Sequence, residues 1–324
     1  MSPEDKIKQL AEEAGFQLCG IASMAQAPTG LTNLTGWLAQ GRHAGMAWME
    51  RQAEKRLDPT KILPSAKSLI CVGLVYNTAH PYSTDVFPMN GRTQTRPAGT
   101  EGKGWISRYA WGDDYHSLME QKLADFERMV KAELDDDAEY RSYSDTGPIS
   151  EKEWAAASGI GWKGKHTNLI SAEHGSWFFL GEILTSLELE PDAPARDLCG
   201  NCTRCIDACP TIAITAPYEL DARRCLSYLS IEHKGPVPDE FASAFGANVY
   251  GCDICQDVCP WNGKRVLGHD PAFEPRPGLY LPDLAELAAM DETAFSERFK
   301  GSAMKRTKHA GLQRNVALAT PPKD

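Results

Sequence analysis

Two segments of the chain repeat apolar residues at the spacing of an amphipathic helix, residues 1–14 and residues 116–132. Pro3 suits the first turn of the earlier helix, and Gly15 follows its last apolar position. Five acidic residues between positions 133 and 139 predict a solvated end for the later helix. The pattern therefore predicts two helices that each bury one face.

Strands are predicted where apolar residues run without interruption. Residues 68–76, rich in Val and Ile, predict a buried strand, and residues 177–187 are a second candidate. Pro, Gly and Thr crowd residues 77–104, which predicts a long loop of the kind that is functional or mobile. Pro191 and Pro194 then predict a linker, and helical sequence resumes beyond the cysteine-rich region and continues to about residue 300.

The composition is that of an ordinary soluble protein, large enough for two or three cores. The 324 residues are 42% hydrophobic and 24% charged, and no stretch approaches the roughly 18 apolar residues of a membrane span. The start, MSPEDKIKQL, has no secretory pattern and no twin-arginine signal, so we expect a cytoplasmic protein. The net charge of −10 argues against binding nucleic acid over the whole surface, but leaves room for a local basic patch.

The number and spacing of the cysteines indicate a more specific class of protein. Eight of the ten cysteines lie between residues 199 and 259, whereas disulfide frameworks belong to small secreted chains. The segment CGNCTRCIDACP follows the pattern C-x2-C-x2-C-x3-C-P, and CDICQDVCP follows C-x2-C-x3-C-P. This spacing is typical of paired 4Fe–4S clusters, in which the fourth cysteine of a run ligates the neighbouring cluster.

The second cysteine run lacks its leading cysteine, because Val249 stands where one is expected, and we expect Cys225 to replace it. Eight ligands then form two sets: Cys199, Cys202, Cys205 and Cys259 for one cluster, and Cys209, Cys225, Cys252 and Cys255 for the other. A pair of zinc sites is the alternative, although zinc knuckles favour paired C-x2-C units with histidine. Cys19 and Cys71 lie in apolar sequence and are expected to be buried packing residues.

About 200 residues precede the clusters, so the chemistry that uses their electrons should lie upstream. The polar upstream segments are EKRLDP, in which Arg56 is by default a surface ion-pair residue, ISRYAWGDDYH, and YSDTGPISEKEWAAASGIGWKGKHTN. Asp145 is either a turn residue or an acid poised as a proton donor. Ser150 and Glu153 have the spacing of a capping box for a short helix that ends at Gly159. The run GIGWKGK lacks phosphate-loop spacing, but its glycines would let backbone approach a large flat cofactor.

In their order, the motifs EKRLDP, SRYAWGDDYH, SDTGP, GIGWKGKHTNLI, CGNCTRCIDACPT, RRCLSYL and YGCDICQDVCPWN resemble the epoxyqueuosine reductase family over about residues 5–318. The cysteine motifs alone are shared with many ferredoxin-like proteins, whereas their combination with SDTGP and RYAWGDDYH is far more specific. The resemblance implies a cobalamin-dependent iron–sulfur enzyme. Its reaction would be the reduction of epoxyqueuosine to queuosine at the wobble base of certain tRNAs, the last step of queuosine biosynthesis.

The resemblance also implies an α+β fold in three parts. Residues 1–195 would be a nitroreductase-like, cobalamin-binding catalytic domain, 196–265 a ferredoxin-like domain with two 4Fe–4S clusters, and 266–324 a short helical C-terminal region. The segment GLQRNVALA resembles the beginning of the HEAT-like repeats with which many family members grip tRNA. We expect a monomer that takes electrons from an external donor and has no membrane partner.

Family roles map onto matching residues of this chain. Asp145 would lie near cobalt and give a proton to the departing oxygen. The other positions that match cobalamin-lining residues are Arg56, Ser107, Leu169, Ser227, Cys252 and Asp253, with Cys252 also ligating iron. Arg108 and Lys165 are neighbours that could hold propionamide or phosphate groups.

A tRNA substrate requires positive charge, and the C-terminal sequence supplies it. Residues 295–315 carry six basic residues against one acid, in a chain that is acidic as a whole. The alternative for this strip is a solvated helical face. The candidate tRNA contacts are Lys234, Lys300, Lys305, Arg306, Lys308 and Arg314, and Lys264 and Arg265 could extend the patch.

Two other functions stay open on the residues alone. A reductive dehalogenase would use the same cofactors on a small organohalide, although such proteins usually carry a twin-arginine signal. An electron carrier would use the upstream domain only to dock a partner, and bound corrinoid would exclude it.

Overall fold

The computed structural model describes residues 1–264 and 266–321, so Arg265, a predicted patch residue, lies outside the described part, as do residues 322–324. The chain forms two compact units. The first contains residues 1–42, 46–76 and 116–200, and the second contains residues 43–45, 77–115 and 201 onward. Residues 77–115, which the sequence places in the first domain, therefore belong to the second unit with the C-terminal helices.

Helices and short strands alternate along both units. The helices of the described residues are α1 (Pro3–Glu13), α2 (Thr32–Ala39), α3 (Ala47–Arg51), α4 (Ala53–Leu57), α5 (Ser83–Val86), α6 (Tyr115–Glu133), α7 (Glu151–Ala157), α8 (Arg204–Ala208), α9 (Leu226–Ile231), α10 (Asp239–Ala242), α11 (Ile254–Asp257), α12 (Leu284–Ala288), α13 (Glu292–Arg298) and α14 (Lys308–Ala319). The strands are β1 (Leu18–Ser23), β2 (Ser68–Val75), β3 (Met89–Asn90), β4 (Thr93–Gln94), β5 (Trp105–Ile106), β6 (Tyr140–Tyr143), β7 (Trp162–Lys163), β8 (Leu169–Ile170), β9 (Phe178–Thr185), β10 (Ile214–Ala216), β11 (Glu219–Leu220) and β12 (Asn248–Tyr250). The two long helices predicted from the sequence are confirmed as α1 and α6. None of the helices among the described residues is both long and apolar enough to span a membrane.

The first unit is built on an antiparallel sheet with the strand order β1–β2–β9–β6. β2 and β9 pair along their whole length, starting with Ser68 opposite Thr185, and nearly every residue of both strands is buried. Strands buried on both faces read as continuous apolar runs, which is why the sequence predicted both of them correctly. Cys71 in β2 is fully buried as predicted, whereas Cys19 in β1 is half-buried.

The two faces of β9 meet different helices, because side chains alternate along a strand. A Cβ on Gly181 would lie 3.0 Å from side-chain atoms of Leu123, so the odd-numbered positions of β9 face α6. The even-numbered Leu184 belongs to the apolar core that includes Trp154 of α7. Glu182 therefore lies on the side of the sheet that α7 covers.

A short parallel pairing joins residues 77–115 to the rest of the second unit. β5 runs beside β12, with Trp105 opposite Asn248 and Ile106 opposite Tyr250. Trp105 and Tyr250 enter a core to which α12, α13 and α14 contribute. The sequence did not predict this pairing, because a two-residue strand carries no periodic signal.

The capping box predicted before α7 is not formed. Ser150 precedes the helix without a side-chain cap, and its Oγ donates to the Arg56 carbonyl oxygen at 3.2 Å. Glu153 forms an ion pair with Lys163 instead of reaching back to the helix start. The predicted helix end is close to the observed one, since α7 stops two residues before Gly159, which has a φ of 81°.

Truncation of Leu184 tests how far the first unit depends on the apolar core between its antiparallel sheet and α7. Leu184 is fully buried in β9, opposite Leu69. Leu184→Ala should lower the free energy of unfolding by about 2–5 kcal/mol, because it removes buried apolar atoms and leaves a cavity. The nearly volume-conserving Leu184→Met should cost less than about 1.5 kcal/mol. Urea unfolding followed by circular dichroism measures both.

The matched control for this truncation is Leu267→Ala, at a position that is 40% exposed. Its free energy of unfolding should stay within about 0.5 kcal/mol of the wild type. Equal unfolding midpoints for Leu184→Ala and the wild type would contradict the packing described for this core.

Candidate active site and cluster ligands

Asp145 lies in a strained turn directly after β6. Its φ of 57° places it in the left-handed region, which is unfavourable for a residue with a side chain. The turn is held on both sides: Ser144 Oγ donates to the Leu180 carbonyl oxygen at 2.7 Å, and a Cβ on Gly147 would lie 2.6 Å from Tyr143. Because neighbouring contacts maintain a conformation that the residue alone would avoid, the turn is a candidate functional element.

The Asp145 carboxyl is accessible and has a histidine beside it. The side chain is 57% exposed, and Oδ2 lies 3.0 Å from Nε2 of His116 near the start of α6. The backbone N–H of Asp145 donates to Oε1 of Glu151, the first residue of α7. An accessible carboxyl with a titratable neighbour can give a proton to a bound substrate.

Glu182 is a further acid of this site that sequence reasoning missed. It is fully buried, and neither carboxylate oxygen has a hydrogen-bond partner among the described residues. Burial, and then the charges of Glu151 and Asp145, raise its pKa well above the ordinary value. Burial and Asp145 also raise the pKa of Glu151 to about 7, although the Asp145 N–H, Lys152 and Arg56 act to lower it. The available signal was a single acid within the apolar run FFLGEILT.

Arg56 is the cation of this site and is buried, which corrects the default expectation of a surface ion pair. Its Nη1 donates to the Ile149 carbonyl oxygen at 2.8 Å, whereas Nε has no hydrogen-bond partner in the part of the chain that the structure describes. Burial lowers the pKa of Arg56, while Glu151 and Asp145 raise it. A buried guanidinium with an unused N–H can bind an acceptor group of a ligand.

The other two cofactor candidates of the first unit, Lys165 and Leu169, differ in chemistry. Lys165 is buried, and its Nζ donates to the Gly200 carbonyl oxygen at 2.6 Å. Leu169 begins β8, pairs with Lys163 of β7, and is buried in the apolar core. Leu169 can therefore contribute shape and backbone groups to a site, while Lys165 already holds the chain at residue 200.

In the second unit, Asp253 is the buried acceptor for three donors. Its Oδ2 accepts from Trp105 Nε1 at 3.0 Å and from the Arg108 backbone N–H at 2.8 Å, and Oδ1 accepts from Ser107 Oγ. Burial raises the pKa of Asp253, and these hydrogen bonds act to lower it. A Cβ on Gly251 would lie 2.4 Å from Ser107, so the backbone there approaches closely. Ser107 and Asp253 are therefore fixed by each other.

The Arg108 guanidinium is buried and makes contacts inside the protein, and its contact with a propionamide or phosphate stays a prediction. It is 2% exposed and donates to the carbonyl oxygens of Thr78, His80 and Pro81 at 2.9 to 3.2 Å. It also lies over the Trp111 ring, 4.5 Å from the ring centroid. These contacts give Arg108 the role of fixing the loop at residues 78–81.

Cysteines of the second unit gather in a small buried cluster. Cys205, Cys209, Cys225 and Cys255 pack together with neighbouring apolar residues, and no two cysteines of the described residues form a disulfide. Burial, and then the thiols of Cys225, Cys209 and Cys205, raise the pKa of Cys255. Cys209 Sγ accepts a hydrogen bond from the Ala213 N–H at 3.2 Å, a contact that tunes the potential of a cluster.

The remaining predicted ligands are less buried on the whole. Cys259 is buried, whereas Cys199, Cys202 and Cys252 are half-buried. Ser227, a cofactor candidate, is half-buried in the first turn of α9. Within residues 1–264 and 266–321, no three His, Cys, Asp or Glu side chains converge as ligands of a single metal ion. A 4Fe–4S cluster holds its thiolates around a cube of iron and sulfur, so its ligands need not converge in that way.

The predicted tRNA contacts separate into exposed lysines and arginines with structural partners. Arg306 Nε donates to Glu232 Oε1 at 2.7 Å. The Arg314 guanidinium donates to three carbonyl oxygens between residues 229 and 235 at 2.6 to 2.9 Å, and burial lowers its pKa. Arg314 thus holds the chain between residues 229 and 235, and its tRNA contact stays a prediction. The exposed candidates are Lys234, Lys264, Lys300, Lys305, Lys308 and also Arg306.

Two family models match the chain in the regions that carry these sites. The model of a 4Fe–4S double cluster binding domain matches residues 198–262, which makes this a two-cluster iron–sulfur protein with mixed helices and sheet. The model described as epoxyqueuosine reductase QueG matches residues 56–146. The epoxyqueuosine reductase of Xanthomonas campestris pv. campestris is 40% identical over 313 residues, which cover 97% of this chain and 85% of the relative. The chain belongs to the epoxyqueuosine reductase family of oxidoreductases.

Other relatives and solved structures agree with this family. The epoxyqueuosine reductase of Synechocystis sp. is 44% identical over 285 residues, covering 87% of this chain and 92% of the relative. An epoxyqueuosine reductase solved with a tRNA-Tyr epoxyqueuosine-modified stem loop superposes with a TM-score of 0.83 and 33% identity, covering 97% of this chain and 80% of that one. The Bacillus subtilis enzyme, solved with a catalytic aspartate loop swung out of the active site, gives a TM-score of 0.84 with the same identity and coverage. The α+β class predicted from the sequence is confirmed.

Proposed function

We propose that this protein reduces epoxyqueuosine in tRNA to queuosine. The observation that carries the proposal is the exposed carboxyl of Asp145 on a strained turn, in a chain of this family. A solved relative holds a tRNA stem loop that carries epoxyqueuosine, which supplies the substrate class. The reductive dehalogenase alternative is not favoured, because the relatives that match nearly the whole chain are epoxyqueuosine reductases.

Asp145 is the proton donor that we assign to this reaction. Removing the epoxide oxygen as water, to leave an alkene, consumes two electrons and two protons. The carboxyl is accessible enough to reach a bound substrate, and Ser144 and Gly147 hold its turn in place. In the Bacillus subtilis relative a catalytic aspartate loop is swung out of the active site, and the turn around Asp145 is the segment that we match to that loop.

Residues 198–262 hold two 4Fe–4S clusters. Clusters transfer electrons singly, so we propose that an external donor reduces them and that they deliver two electrons for each epoxide. The packing of Cys205, Cys209, Cys225 and Cys255 supports the use of Cys225 as a ligand. We assign the two ligand sets as Cys199, Cys202, Cys205 and Cys259, and Cys209, Cys225, Cys252 and Cys255.

Cobalamin is the further cofactor that we propose. The buried Arg56 fits such a ligand, because its Nε has no partner among the described residues and can donate to a carboxamide or phosphate. Asp145, Lys165 and Leu169 of the same unit match the family's cofactor positions, and Ser107, Ser227, Cys252 and Asp253 stay predictions from the resemblance. Cobalamin supplies strongly reducing, nucleophilic cobalt chemistry when bound. The residues of this chain then have to orient the substrate, exclude water and supply protons.

We also propose that the fold has three parts, as the family does. Family membership supports a nitroreductase-like cobalamin domain, a ferredoxin-like cluster domain, and a HEAT-like repeat that begins with α14. We further propose that the enzyme works as a monomer, in the cytoplasm where its tRNA substrate is found.

Exposed lysines of the second unit are the tRNA contacts that we retain from the sequence-based set. Lys234, Lys300, Lys305 and Lys308 present exposed side chains, as does Lys264. Exposed ammonium groups bind phosphates by charge and release counterions, so they add affinity without base specificity.

Asp145→Ala should lose turnover by about 10²–10⁴-fold, because a general acid contributes about this much. Its iron and cobalamin contents should equal those of the wild type. The assay is queuosine formation in tRNA that carries epoxyqueuosine, measured by mass spectrometry of the digested tRNA. Absorption spectra of protein reconstituted with iron, sulfide and cobalamin report the cofactors.

Glu153→Gln is the control for Asp145→Ala, because Glu153 lies on α7 in an ion pair with Lys163 and takes no part in the proposed reaction. Wild-type turnover by Asp145→Ala would remove Asp145 from the mechanism. A fully reconstituted wild-type enzyme that forms no queuosine would instead overturn the proposed function.

Cys225→Ala tests the unusual ligand. With one of its four thiolates missing, one cluster should be lost, so the protein should keep about half of the wild-type iron. Cys19→Ala, which changes a cysteine outside the cluster region, should keep all of it. Iron analysis and electron paramagnetic resonance measure the content. Full iron in Cys225→Ala would show that another residue completes the second ligand set.

Replacement of Lys300, Lys305 or Lys308 by alanine should weaken tRNA binding and reduce the dependence of log K on log salt by about 1 for each phosphate that is no longer neutralised. Lys61→Ala, at an exposed lysine of the first unit, is the control. Arg314→Ala should instead destabilise the protein, because three carbonyl groups lose their donor. Binding titrations at several salt concentrations measure the slope, and an unchanged slope in all three lysine variants would move the tRNA interface elsewhere.

A further inference from the structure

The reaction needs two protons, whereas the Asp145 carboxyl carries one. After the first donation Asp145 is a carboxylate, and it has to be reloaded within the same turnover. Two acids of the same unit, Glu151 and Glu182, act electrostatically on this region and have no part in the mechanism so far. The positions of Glu151 and Glu182 indicate how each can hold a proton or pass it to Asp145.

Glu182 is held on the α7 side of the sheet by the register of β9. It pairs with Cys71 of β2 and with Tyr143 of β6, and Asp145 follows Tyr143 by two residues. The side chain is fully buried, and neither oxygen has a hydrogen-bond partner among the described residues. A carboxyl in this environment is strongly favoured in its neutral, protonated form.

Glu151 is hydrogen-bonded to the turn of the exposed acid and acts electrostatically on the buried one. It is the first residue of α7, and its Oε1 accepts the backbone N–H of Asp145. The hydrogen bond ties the Glu151 side chain to the turn that carries the Asp145 carboxyl. Glu151 is half-buried, so unlike Glu182 it is partly accessible for exchange of protons with water.

The positive charges near the three acids act on Glu151 and Asp145, whereas the strand residues beside Glu182 bring none. Arg56 and Lys152 act on Glu151, and His116 lies beside Asp145. Cys71 and Tyr143, which face Glu182 from the neighbouring strands, bring no positive charge. Because burial disfavours the charged form of Glu182, and the strand residues beside it bring no positive charge, the cluster retains a proton at neutral pH.

We propose that Asp145, Glu151 and Glu182 form a carboxyl cluster that stores the second proton of each turnover and returns it to Asp145 through Glu151. Glu151 and Glu182 are positioning residues in this scheme, because they act through Asp145 and do not touch the substrate. The inference rests on the proposed role of Asp145.

The proton balance of one turnover follows from this arrangement. Two electrons arrive from the external donor through the clusters, the C–O bonds of the epoxide break, and the alkene forms. Asp145 gives its proton to the departing oxygen and becomes a carboxylate. Glu151 then gives a proton to Asp145, which delivers it to the same oxygen, so that water leaves. Solvent returns two protons to the cluster before the next turnover.

The test uses the reconstituted holoenzyme and the variants Glu151→Gln and Glu182→Gln, with Glu153→Gln on the same helix as the matched control. The first measurement is infrared spectroscopy at pH 7. The wild type and the control should show the carbonyl band of a protonated carboxylic acid, and in Glu182→Gln this band should lose the part of its intensity that Glu182 contributes. This measurement does not depend on turnover.

The second measurement is the pH profile of a single turnover on epoxyqueuosine-containing tRNA. The wild-type rate should be full at low pH and fall as the pH rises through about 7, because Glu151 then loses its proton. Glu151→Gln should be about 10²-fold slower and should lack this fall. Glu151→Asp should recover part of the rate and of the pH dependence, which a merely structural role would not predict.

Two results would contradict the proposal of a carboxyl cluster. It is overturned by a wild-type rate and pH profile in Glu151→Gln, or by a carboxylic-acid band at pH 7 that is as strong in Glu182→Gln as in the wild type. If the wild type forms no queuosine, the proposed function fails, and the infrared measurement still decides whether the cluster holds a proton.

Discussion

The antiparallel ladder between β2 and β9 is the constraint on which the first unit depends. Both outer strands attach to it, and β6 ends at Tyr143, directly opposite Glu182. The turn that carries Asp145 therefore starts beside the buried acid. A register shift of one residue would move Glu182 to the face that α6 covers and separate it from Glu151. The register of a hydrophobic ladder thus determines which acids can act together.

Asp253 has the corresponding position in the second unit. Its carboxylate gathers donors from β5 and the residues after it, and it directly follows Cys252, a predicted cluster ligand. Loss of this acceptor would leave three buried donors unpaired, which is far more costly than the absence of one ordinary hydrogen bond. The parallel pairing of β5 with β12 and the conformation of the second cysteine run therefore depend on the same carboxylate.

Structural features that are determined by local sequence could be predicted, whereas features that depend on the pairing of strands could not. β2, β9, α1 and α6 follow from continuous or periodic apolar patterns, and the iron–sulfur region follows from cysteine spacing. β6 (YRSY) was missed because its sequence is polar, and it is a strand only through its pairing with β9. Asp145 was found through the family motif. Glu182 was missed because its position beside the Asp145 turn depends on the register of β9. The burial of Arg56 was not predicted, because burial of a charged side chain is a property of the fold.

The carboxyl cluster also links the reaction to stability. The left-handed backbone at Asp145 and the unpartnered carboxyl of Glu182 both destabilise the folded state, by about 1–3 kcal/mol for the backbone alone. Burial raises the pKa of Glu151 from its ordinary 4.5 to about 7, so over this range the folded chain holds a proton that the unfolded chain has released. The contribution of Glu151 to folding stability must then fall as the pH rises from about 4.5 through about 7. The proton that serves catalysis is therefore also the one whose loss weakens the fold, and the apolar ladder beside it supplies the stability that offsets this cost.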